Sequence, residues 1–227
     1  MLQALINLFF PEICPGCRTP IKTGEFVICT RCRHEIPRTS HFSQPKNEAW
    51  GKFYGRVPVE NAATFFYFYK DGVARSLIHS LKYKGQEQIG TALGHWLASE
   101  FEPHQKYWKP DEITIVPLHK KRLRERGYNQ LHCFAHTFAS NLNLPLNAGL
   151  LQRNFYSKSQ SRKNRWTRGE LQKTLFSVRN PAECAGKHIL LIDDVLTTGA
   201  TLEACARAVL EAPGTKVSVL CIAFSQS

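Results

Sequence analysis

Two adjacent carboxylates followed by a threonine-rich turn are the residues of this sequence best suited to chemistry. Asp193 and Asp194 come directly after the branched apolar run 189–192, and the turn Thr-Thr-Gly-Ala-Thr at 197–201 leads into a helical pattern. In an open α/β sheet, ligands bind at the carboxyl ends of the strands. There, Gly199 would let the backbone approach a phosphate at the helix N-terminus, and a ribose diol or Mg²⁺ would satisfy the two acids. The stretch therefore predicts a phosphosugar site.

The same stretch resembles the phosphoribosyl pyrophosphate (PRPP) motif of the type I phosphoribosyltransferases, an apolar strand, Asp-Asp, two residues and then Thr-Thr-Gly-x-Thr. The resemblance implies an α/β fold built on a mostly parallel sheet with helices on both faces. It also implies that the acids hold the ribose hydroxyls, that the turn holds the 5′-phosphate and that Mg²⁺ is bound with PRPP. The residues so assigned to PRPP are Asp193, Asp194, Val195, Leu196, Thr197, Thr198, Gly199, Ala200 and Thr201. An ordinary strand, turn and helix with a capping threonine is the alternative.

Four cysteines near the amino terminus have the spacing of a metal site. Cys14-Pro-Gly-Cys17 and Cys29-Thr-Arg-Cys32 are separated by eleven residues, enough for a short hairpin between two metal-binding knuckles. We predict a small ribbon in which all four thiolates hold a structural Zn²⁺, which leaves no open position for catalysis. A pair of disulfides is the alternative. The basic residues of the ribbon could contact nucleic acid, although a solvated charged face explains them more simply.

A second anion site is predicted where another short strand, 113–117, runs into a basic loop. Val-Pro-Leu-His is followed by Lys-Lys-Arg-Leu-Arg-Glu-Arg and then by the helical pattern 131–142. A strand, a basic loop and a helix in this order bring the loop to the same edge of the sheet as the two acids. In the phosphoribosyltransferases a loop in the equivalent place binds the pyrophosphate, and the resemblance assigns this role to Leu118, His119 and Lys120.

The residues around this loop make the resemblance more specific. The pattern Pro-x-x-x-x-Arg-x-Arg-x-Arg-Gly-Tyr-Asn-Gln at 117–130 resembles the ComF group of phosphoribosyltransferase-like proteins. The four-cysteine ribbon, the segment Leu-Lys-Tyr-Lys-Gly at 81–85 and the Asp-Asp motif resemble the same group, in that order along the chain. This resemblance implies binding to single-stranded DNA during DNA uptake in natural transformation, with proteins of the competence machinery as partners. The nucleic-acid contacts we assign are Lys121, Arg122, Arg124 and Arg126.

The segment 150–176 is polar and basic, and its hydrophobic period is weak. A loop of this length inside a compact domain is usually functional or disordered. In the transferase family a mobile loop folds over PRPP and shields the reacting carbon from water. By that resemblance, Gln160 and Arg165 are candidates to reach the pyrophosphate. A flexible basic surface loop is the alternative.

Composition and charge limit the remaining choices. The chain has 227 residues, a formal charge of +12 and 43% hydrophobic residues, so it can hold one α/β domain with a small addition, and it favours polyanionic partners. Twelve of its Lys and Arg residues, against two acidic ones, fall between 116 and 173. No apolar run approaches the roughly 18 residues of a membrane helix, and the opening residues lack a basic region and a cleavage site. We expect a cytoplasmic protein without membrane insertion.

Residue patterns divide the chain into three parts. Residues 1–37 would form an amino-terminal helix and the zinc ribbon, the polar segment 38–60 a linker, and 61–227 the phosphoribosyltransferase-like domain. Within the third part, periodicity predicts a helix over 89–101 that ends before Pro103. The chain is thus expected to be an α/β domain of the type I phosphoribosyltransferase fold plus a small amino-terminal zinc ribbon.

Two functions fit these features. In the first, the PRPP site belongs to a ComF-type protein that acts with single-stranded DNA in uptake. In the second, the chain is an active Mg²⁺-dependent transferase that moves ribose 5-phosphate from PRPP to a nucleobase or another small acceptor, and the basic regions bind only phosphate. Catalysis would then be mostly electrostatic, acting on the departing pyrophosphate. The sequence gives no recognisable acceptor pocket.

Overall fold

A computed structural model describes residues 10–82, 86–118, 123–124, 127, 129–154 and 175–226, so the predicted amino-terminal helix lies outside the described residues. The helices of this part are α1 (Thr30–Glu35), α2 (Glu48–Gly51), α3 (Val73–Leu81), α4 (Glu87–Trp108), α5 (Leu131–Asn141) and α6 (Ala200–Leu210). The strands are β1 (Ala62–Tyr67), β2 (Glu112–Ile115), β3 (Leu151–Arg153), β4 (Phe176–Val178), β5 (His188–Leu196) and β6 (Lys216–Phe224). None of these helices is long and apolar enough to cross a membrane.

The main sheet of the described chain has four parallel strands in the order β1-β6-β5-β2. Strand β5 lies between β6 and β2, and its branched residues Ile189 to Ile192 are fully buried, as expected of a strand covered on both faces. The strand does not end before the two acids. It continues to Leu196, because β6 runs alongside it and pairs Phe224 with Leu196. Asp193 and Asp194 are therefore held on a strand rather than on a loop.

Helices cover both faces of the sheet, and alternate residues of β5 point to opposite sides. Leu190 and Ile192 join one apolar cluster, which includes buried residues of α3, α4 and α5. Ile189 and Leu191 join the other, which includes buried residues of α6. The predicted α/β fold, with a mostly parallel sheet between two layers of helices, is confirmed.

Helix α4 is longer than the periodicity predicts, because it runs through Pro103 to Trp108. A proline removes one backbone donor from the helix interior and normally favours a break. Here the last turns are held by tertiary packing, since Phe101 and Trp108 are buried with their rings 5.3 Å apart. The helix ends at Trp108, and its C-cap residue Lys109 has a φ of 46°, in the left-handed region.

The segment 38–60, predicted as a linker, contains helix α2 and hydrogen bonds with strand β1. Asn47 caps α2 by accepting from Trp50 N, and its amide donates to the Ala62 carbonyl at 2.8 Å. Thr39 N donates to the Phe65 carbonyl at 2.9 Å. This packing brings the residues after α2 to the carboxyl edge of the sheet.

Candidate functional site

The two acids of β5 lie at its carboxyl end, where they meet Lys82, the C-cap residue that follows α3. Lys82 Nζ is 2.8 Å from Asp194 Oδ2, and Asp194 N donates to Asp193 Oδ1 at 2.8 Å. Both acids are half-buried. Burial, together with the neighbouring charge of Asp194, raises the pKa of Asp193 to about 8. The pair therefore holds a proton near neutral pH and can both donate to and accept from hydroxyl groups.

The predicted phosphate-binding turn follows directly. Thr197 and Thr198 are exposed, and Gly199 is buried with a φ of 76° at the N-cap of α6. A Cβ at Gly199 would lie 3.3 Å from Phe53 Cε1, so both the left-handed backbone and the close contact favour glycine. The turn brings the positive end of the α6 dipole and its first backbone N–H groups beside the two acids.

The remaining residues of the predicted PRPP motif support this turn in different ways. Val195 is half-buried on β5, and Leu196 is fully buried. Ala200 is the first residue of α6, and its N–H donates to Thr198 Oγ1 at 3.5 Å. Thr201 is exposed on the first turn of the helix. Hydroxyl groups are thus available around the helix N-terminus, whereas Leu196 anchors the strand.

The predicted pyrophosphate loop begins beside β5. Val116 N donates to the Ile192 carbonyl at 3.0 Å, which continues the pairing beyond β2, and Leu118 is half-buried. The Asn129 amide donates to the Val116 carbonyl at 3.3 Å and brings the start of α5 to the same place. The strand and helix that flank the basic loop therefore converge near the two acids.

The predicted residues of the basic loop and of the segment 150–176 lie mostly outside the described part of the chain. Arg124 is exposed in the described part of the chain. The others lie outside the described residues: His119, Lys120, Lys121, Arg122, Arg126, Gln160 and Arg165. Gln160 and Arg165 fall between β3 and β4, which pair antiparallel to form a separate hairpin. The assignments of these residues stay predictions.

A cavity of about 800 Å³ lies between the end of β2, helix α5 and the β3–β4 hairpin. Its lining combines apolar residues such as Leu118 and Leu151 with polar ones such as Asn129, Arg153 and Arg179. The cavity adjoins the predicted pyrophosphate loop. It gives the described chain a concave, partly basic surface at the carboxyl edge of the sheet.

The four amino-terminal cysteines form a single cluster whose sulfur atoms all lie within 4.8 Å of one another. Cys14 Sγ is 3.8 Å from Cys32 Sγ, and Cys17 Sγ is 3.5 Å from Cys29 Sγ. These distances are too long for disulfides and close to the roughly 3.8 Å between thiolates that surround Zn²⁺ tetrahedrally. A Cβ at Gly16 would lie 2.7 Å from Cys32 Sγ, so the first knuckle needs glycine. The four cysteines could therefore hold a metal ion.

Lys82 is a residue of the site to which the sequence assigned no role. Its ion pair with Asp194 joins two helix–strand units that lie far apart in the chain, and such a pair leaves no periodic pattern. The only sequence signal is its place in the segment 81–85, which resembles the ComF group.

Residues 133–226 match the family model described as the phosphoribosyl transferase domain. Over 202 residues the chain is 30% identical to competence protein ComFC of Bacillus subtilis (strain 168), and the match covers 88% of this chain and 78% of that protein. The chain belongs to the ComF family.

A second relative matches over nearly the whole chain. DNA utilization protein YhgH of Escherichia coli (strain K12) is 25% identical over 225 residues, which are 95% of this chain and 98% of that protein. Among solved structures, the allosteric regulatory enzyme of purine biosynthesis is 19% identical with a TM-score of 0.45, over 64% of this chain and 30% of that chain. The family model and the parallel sheet confirm the predicted type I phosphoribosyltransferase fold for this ComF protein.

Proposed function

We propose that this ComF-family protein binds PRPP at the carboxyl edge of its sheet and acts with single-stranded DNA in DNA uptake. The observation that carries the proposal is the juxtaposition of the Asp193–Asp194 pair with the left-handed turn at Gly199 and the N-terminus of α6. An acid pair suits a sugar diol, and a helix N-terminus suits a phosphate. PRPP carries both groups.

Each part of the site has a role in this proposal. Asp193, whose raised pKa keeps a proton near neutral pH, and Asp194 bind the ribose hydroxyls. Lys82 offsets the charge of Asp194 and keeps the pair from repelling the phosphates. The backbone and hydroxyl groups of 197–201 bind the 5′-phosphate, and Leu118, His119 and Lys120 bind the pyrophosphate. Gln160 and Arg165 complete the pyrophosphate contacts.

Mg²⁺ belongs to the proposal together with PRPP. Carboxylate oxygens are ligands that Mg²⁺ accepts, and Asp193 and Asp194 supply them at this edge. Asp194 already meets the ammonium group of Lys82 at 2.8 Å, so we assign the acid pair chiefly to the sugar hydroxyls. When bound, Mg²⁺ would neutralise charge on the pyrophosphate.

The role in DNA handling rests on charge and on the relatives. Competence protein ComFC and DNA utilization protein YhgH carry names that refer to competence and to DNA. The formal charge of +12 favours a polyanionic partner. We assign the DNA contacts to Lys121, Arg122, Arg124 and Arg126, the protein partners to the competence machinery, and the location to the cytoplasm.

Titration calorimetry with PRPP and Mg²⁺ tests the PRPP site. The wild-type protein should bind PRPP, and Asp193→Asn combined with Asp194→Asn should abolish binding. Asp71→Asn is the matched control, since Asp71 is exposed and its carboxylate lies 4.0 Å from Arg75, which has no assigned role in the site. Equal PRPP binding by wild type and the double variant would refute the proposal.

An assay for released pyrophosphate distinguishes the two functions that fit the sequence. The protein is incubated with PRPP and Mg²⁺ while nucleobases or oligonucleotides are offered as acceptors. Binding without turnover favours PRPP as a ligand of a DNA-handling protein. Turnover with a nucleobase that is lost in the double Asp variant favours the transferase.

The DNA contacts are tested by fluorescence anisotropy with a single-stranded oligonucleotide. If four cations contact phosphates, affinity should fall about fiftyfold between about 50 and about 200 mM salt. Replacing Lys121, Arg122, Arg124 and Arg126 by Gln should flatten this dependence. The matched control removes the same number of positive charges from exposed positions elsewhere, namely Lys70, Arg75, Lys106 and Lys216. Salt-independent binding, or equal losses in both variants, would contradict the assignment.

We also propose that the four cysteines hold a structural Zn²⁺, because their sulfur separations fit a four-thiolate site. Metal analysis of the purified protein should find about one equivalent of zinc. Cys17→Ser should lose it and lower the melting temperature, whereas Cys133→Ser, outside the cluster, should retain it. Substoichiometric zinc in the wild type, with unchanged stability in Cys17→Ser, would refute the metal site.

A further inference from the structure

A guanidinium group from the segment after α2 is bonded to the backbone of the phosphate turn. Arg56 Nη1 donates to the Thr198 carbonyl at 2.8 Å and to the Lys52 carbonyl at 2.8 Å. Phe53, from the same segment, packs against Gly199. The outer side of the turn is therefore held by residues that precede the first strand of the sheet.

The second terminal nitrogen of the same guanidinium group contacts a buried acid on the first turn of α6. Arg56 Nη2 forms an ion pair with Glu203, which is only 6% exposed. One turn later, Arg207 Nη2 is 2.9 Å from Glu203 Oε1, and Arg207 also donates to the Arg56 carbonyl. Arg56, Glu203 and Arg207 thus form one connected cluster behind the phosphate turn.

The sign of these charges matters for a phosphate ligand. A carboxylate in the first turn of a helix is favoured by the helix dipole, and it competes for the positive potential that a bound phosphate would use. Two guanidinium groups on Glu203 more than offset its charge, so the cluster as a whole carries a net charge of about +1. Removing Arg56 would both free the Thr198 carbonyl and leave Glu203 less compensated.

We infer that Arg56, Glu203 and Arg207 are positioning residues for the 5′-phosphate. They fix the shape of the turn 197–199 and make the α6 N-terminus electrostatically available to a phosphate monoester. This inference rests on the proposed PRPP site and extends it to a specific half of the ligand. The cluster lies behind the turn that precedes α6, so it should act on the ribose 5-phosphate end and not on the pyrophosphate end.

Titration calorimetry with three ligands, PRPP with Mg²⁺, ribose 5-phosphate and inorganic pyrophosphate, tests this assignment. Arg56→Ala should weaken binding of PRPP and of ribose 5-phosphate about tenfold or more and change pyrophosphate binding less than about twofold. Arg56→Lys should recover only part of the loss, because an ammonium group cannot bond two carbonyls and a carboxylate in a fixed fork. Arg75→Ala is the control, since Arg75 makes the same kind of bond to the carbonyl of Lys70 at 2.7 Å and neither residue has an assigned role in the site.

A double variant tests the electrostatic role of the cluster. In Arg56→Ala combined with Glu203→Gln, the buried charge is gone, so ribose 5-phosphate affinity should recover at least about threefold over Arg56→Ala alone. No recovery would refute the electrostatic role. If Arg56→Ala lost affinity equally for all three ligands and had a lower melting temperature, the cluster would only stabilise the fold. That result would overturn the inference.

Different results would refute the proposed PRPP site and the positioning role of the cluster. If the wild-type protein binds neither PRPP nor ribose 5-phosphate, the proposed function and this inference both fall. If the wild type binds and Arg56→Ala binds equally well with unchanged melting temperature, only the positioning role is wrong.

Discussion

Strand β5 has a lysine–carboxylate pair at each end, and the two ends differ in how their acidic side chains are arranged and paired. At the amino end, Lys187 Nζ is 2.7 Å from Glu112 Oε2. There His188 Nε2 is 2.8 Å from Ser218 Oγ, and His188 N donates to Asp111 Oδ2 at 2.8 Å. Each of these groups meets a partner on a neighbouring strand or its flanking turn, which is the pattern expected of a closed, stabilising cluster.

At the carboxyl end, two acids meet one lysine. Asp193 and Asp194 are adjacent, Lys82 contacts Asp194, and the exposed Thr197 and Thr198 follow. The pKa of Asp193 is raised to about 8 because burial and the neighbouring carboxylate both disfavour its charged form. Holding two acids side by side in this way costs folding free energy, and a hydroxyl-rich, phosphate-bearing ligand would relieve it. Both ends have two carboxylates and one lysine, so the count of charges does not distinguish them. At the amino end each acid has its own partner, whereas at the carboxyl end the two acids are adjacent and one raises the pKa of the other.

The largest expected difference between the two ends concerns their left-handed glycines. Gly199, with φ of 76°, and Gly186, with φ of 73°, should each lose about 1–2 kcal/mol of stability on replacement by Ala, because both place a side chain in the left-handed region. Only Gly199→Ala also presses on Phe53, so PRPP binding should weaken on the order of a hundredfold, about 2.7 kcal/mol. Calorimetry and thermal denaturation of both variants measure the two effects.

Gly186→Ala is the matched control, since no described atom lies within 4 Å of a Cβ built there. It should bind PRPP like the wild type. If both glycine variants bind PRPP equally well, the turn at 197–199 does not hold the phosphate and the two ends do not differ in function.

A smaller difference is expected from the two lysines. Lys82→Met should weaken PRPP binding about tenfold, because the uncompensated charge of Asp194 would repel the phosphates. Lys187→Met removes an equally short ion pair and should leave PRPP binding unchanged. Both lysines are partly exposed, so each variant should lose only about 1 kcal/mol of stability or less. Binding calorimetry with denaturant unfolding compares them.

Lys82→Arg sharpens this test. A guanidinium group retains the charge, so it should restore most of the PRPP affinity that Lys82→Met loses. Equal affinity in Lys82→Met and the wild type would mean that Asp194 does not approach the ligand.

Local sequence patterns correctly predicted the groups that lie close together in the chain. The apolar run 189–192, the Asp-Asp pair and the glycine turn define a strand, an edge and a helix start within thirteen consecutive residues, and the structure has all three. The four cysteines likewise lie within nineteen residues and form one cluster. Short-range spacing is sufficient in both cases because the groups that act together are close in the chain.

The electrostatic partners of these groups could not be predicted in the same way. Lys82 reaches Asp194, and Arg56 reaches Thr198 and Glu203, only after the sheet has assembled. Helix α4 shows the same limit, because buried aromatic packing keeps it helical past a proline where local propensity predicts a break. Charge balance and helix length are set by tertiary contacts, which a single sequence does not reveal.

The two ends should also differ in the pH dependence of stability. Burial lowers the pKa of His188 below 6.5 and raises that of Asp193 from 3.8 to about 8. The folded state therefore binds fewer protons than the unfolded state at His188, so the contribution of His188 to stability falls as pH drops below about 6.5. At Asp193 the folded state binds more protons, so the contribution of Asp193 falls as pH rises from about 4 toward about 8, and the two contributions oppose each other below about pH 6.5.

Denaturant unfolding between pH 5 and pH 9 distinguishes the contribution of His188 at the amino end of β5 from that of Asp193 at the carboxyl end. Between about pH 6.5 and about pH 8 the free energy of unfolding should decrease with rising pH, by at most about 1.4 kcal/mol per pH unit for one proton. Asp193→Asn, whose amide oxygen can still accept from Asp194 N, should flatten that decrease. His188→Gln should leave that decrease intact and reduce the loss of stability below about pH 6.5. A residual loss should remain there, because burial also lowers the pKa of His41.

PRPP should act on only one of these slopes. If the ligand engages the acid pair through its hydroxyls, saturating PRPP with Mg²⁺ should change the slope between about pH 6.5 and about pH 8 and leave the His188-dependent loss below about pH 6.5 unaltered. A slope that is identical with and without PRPP, or that persists in Asp193→Asn, would mean that the proton is held elsewhere. The acid pair at the carboxyl end of β5 would then have only a structural role, as the polar cluster at the amino end has.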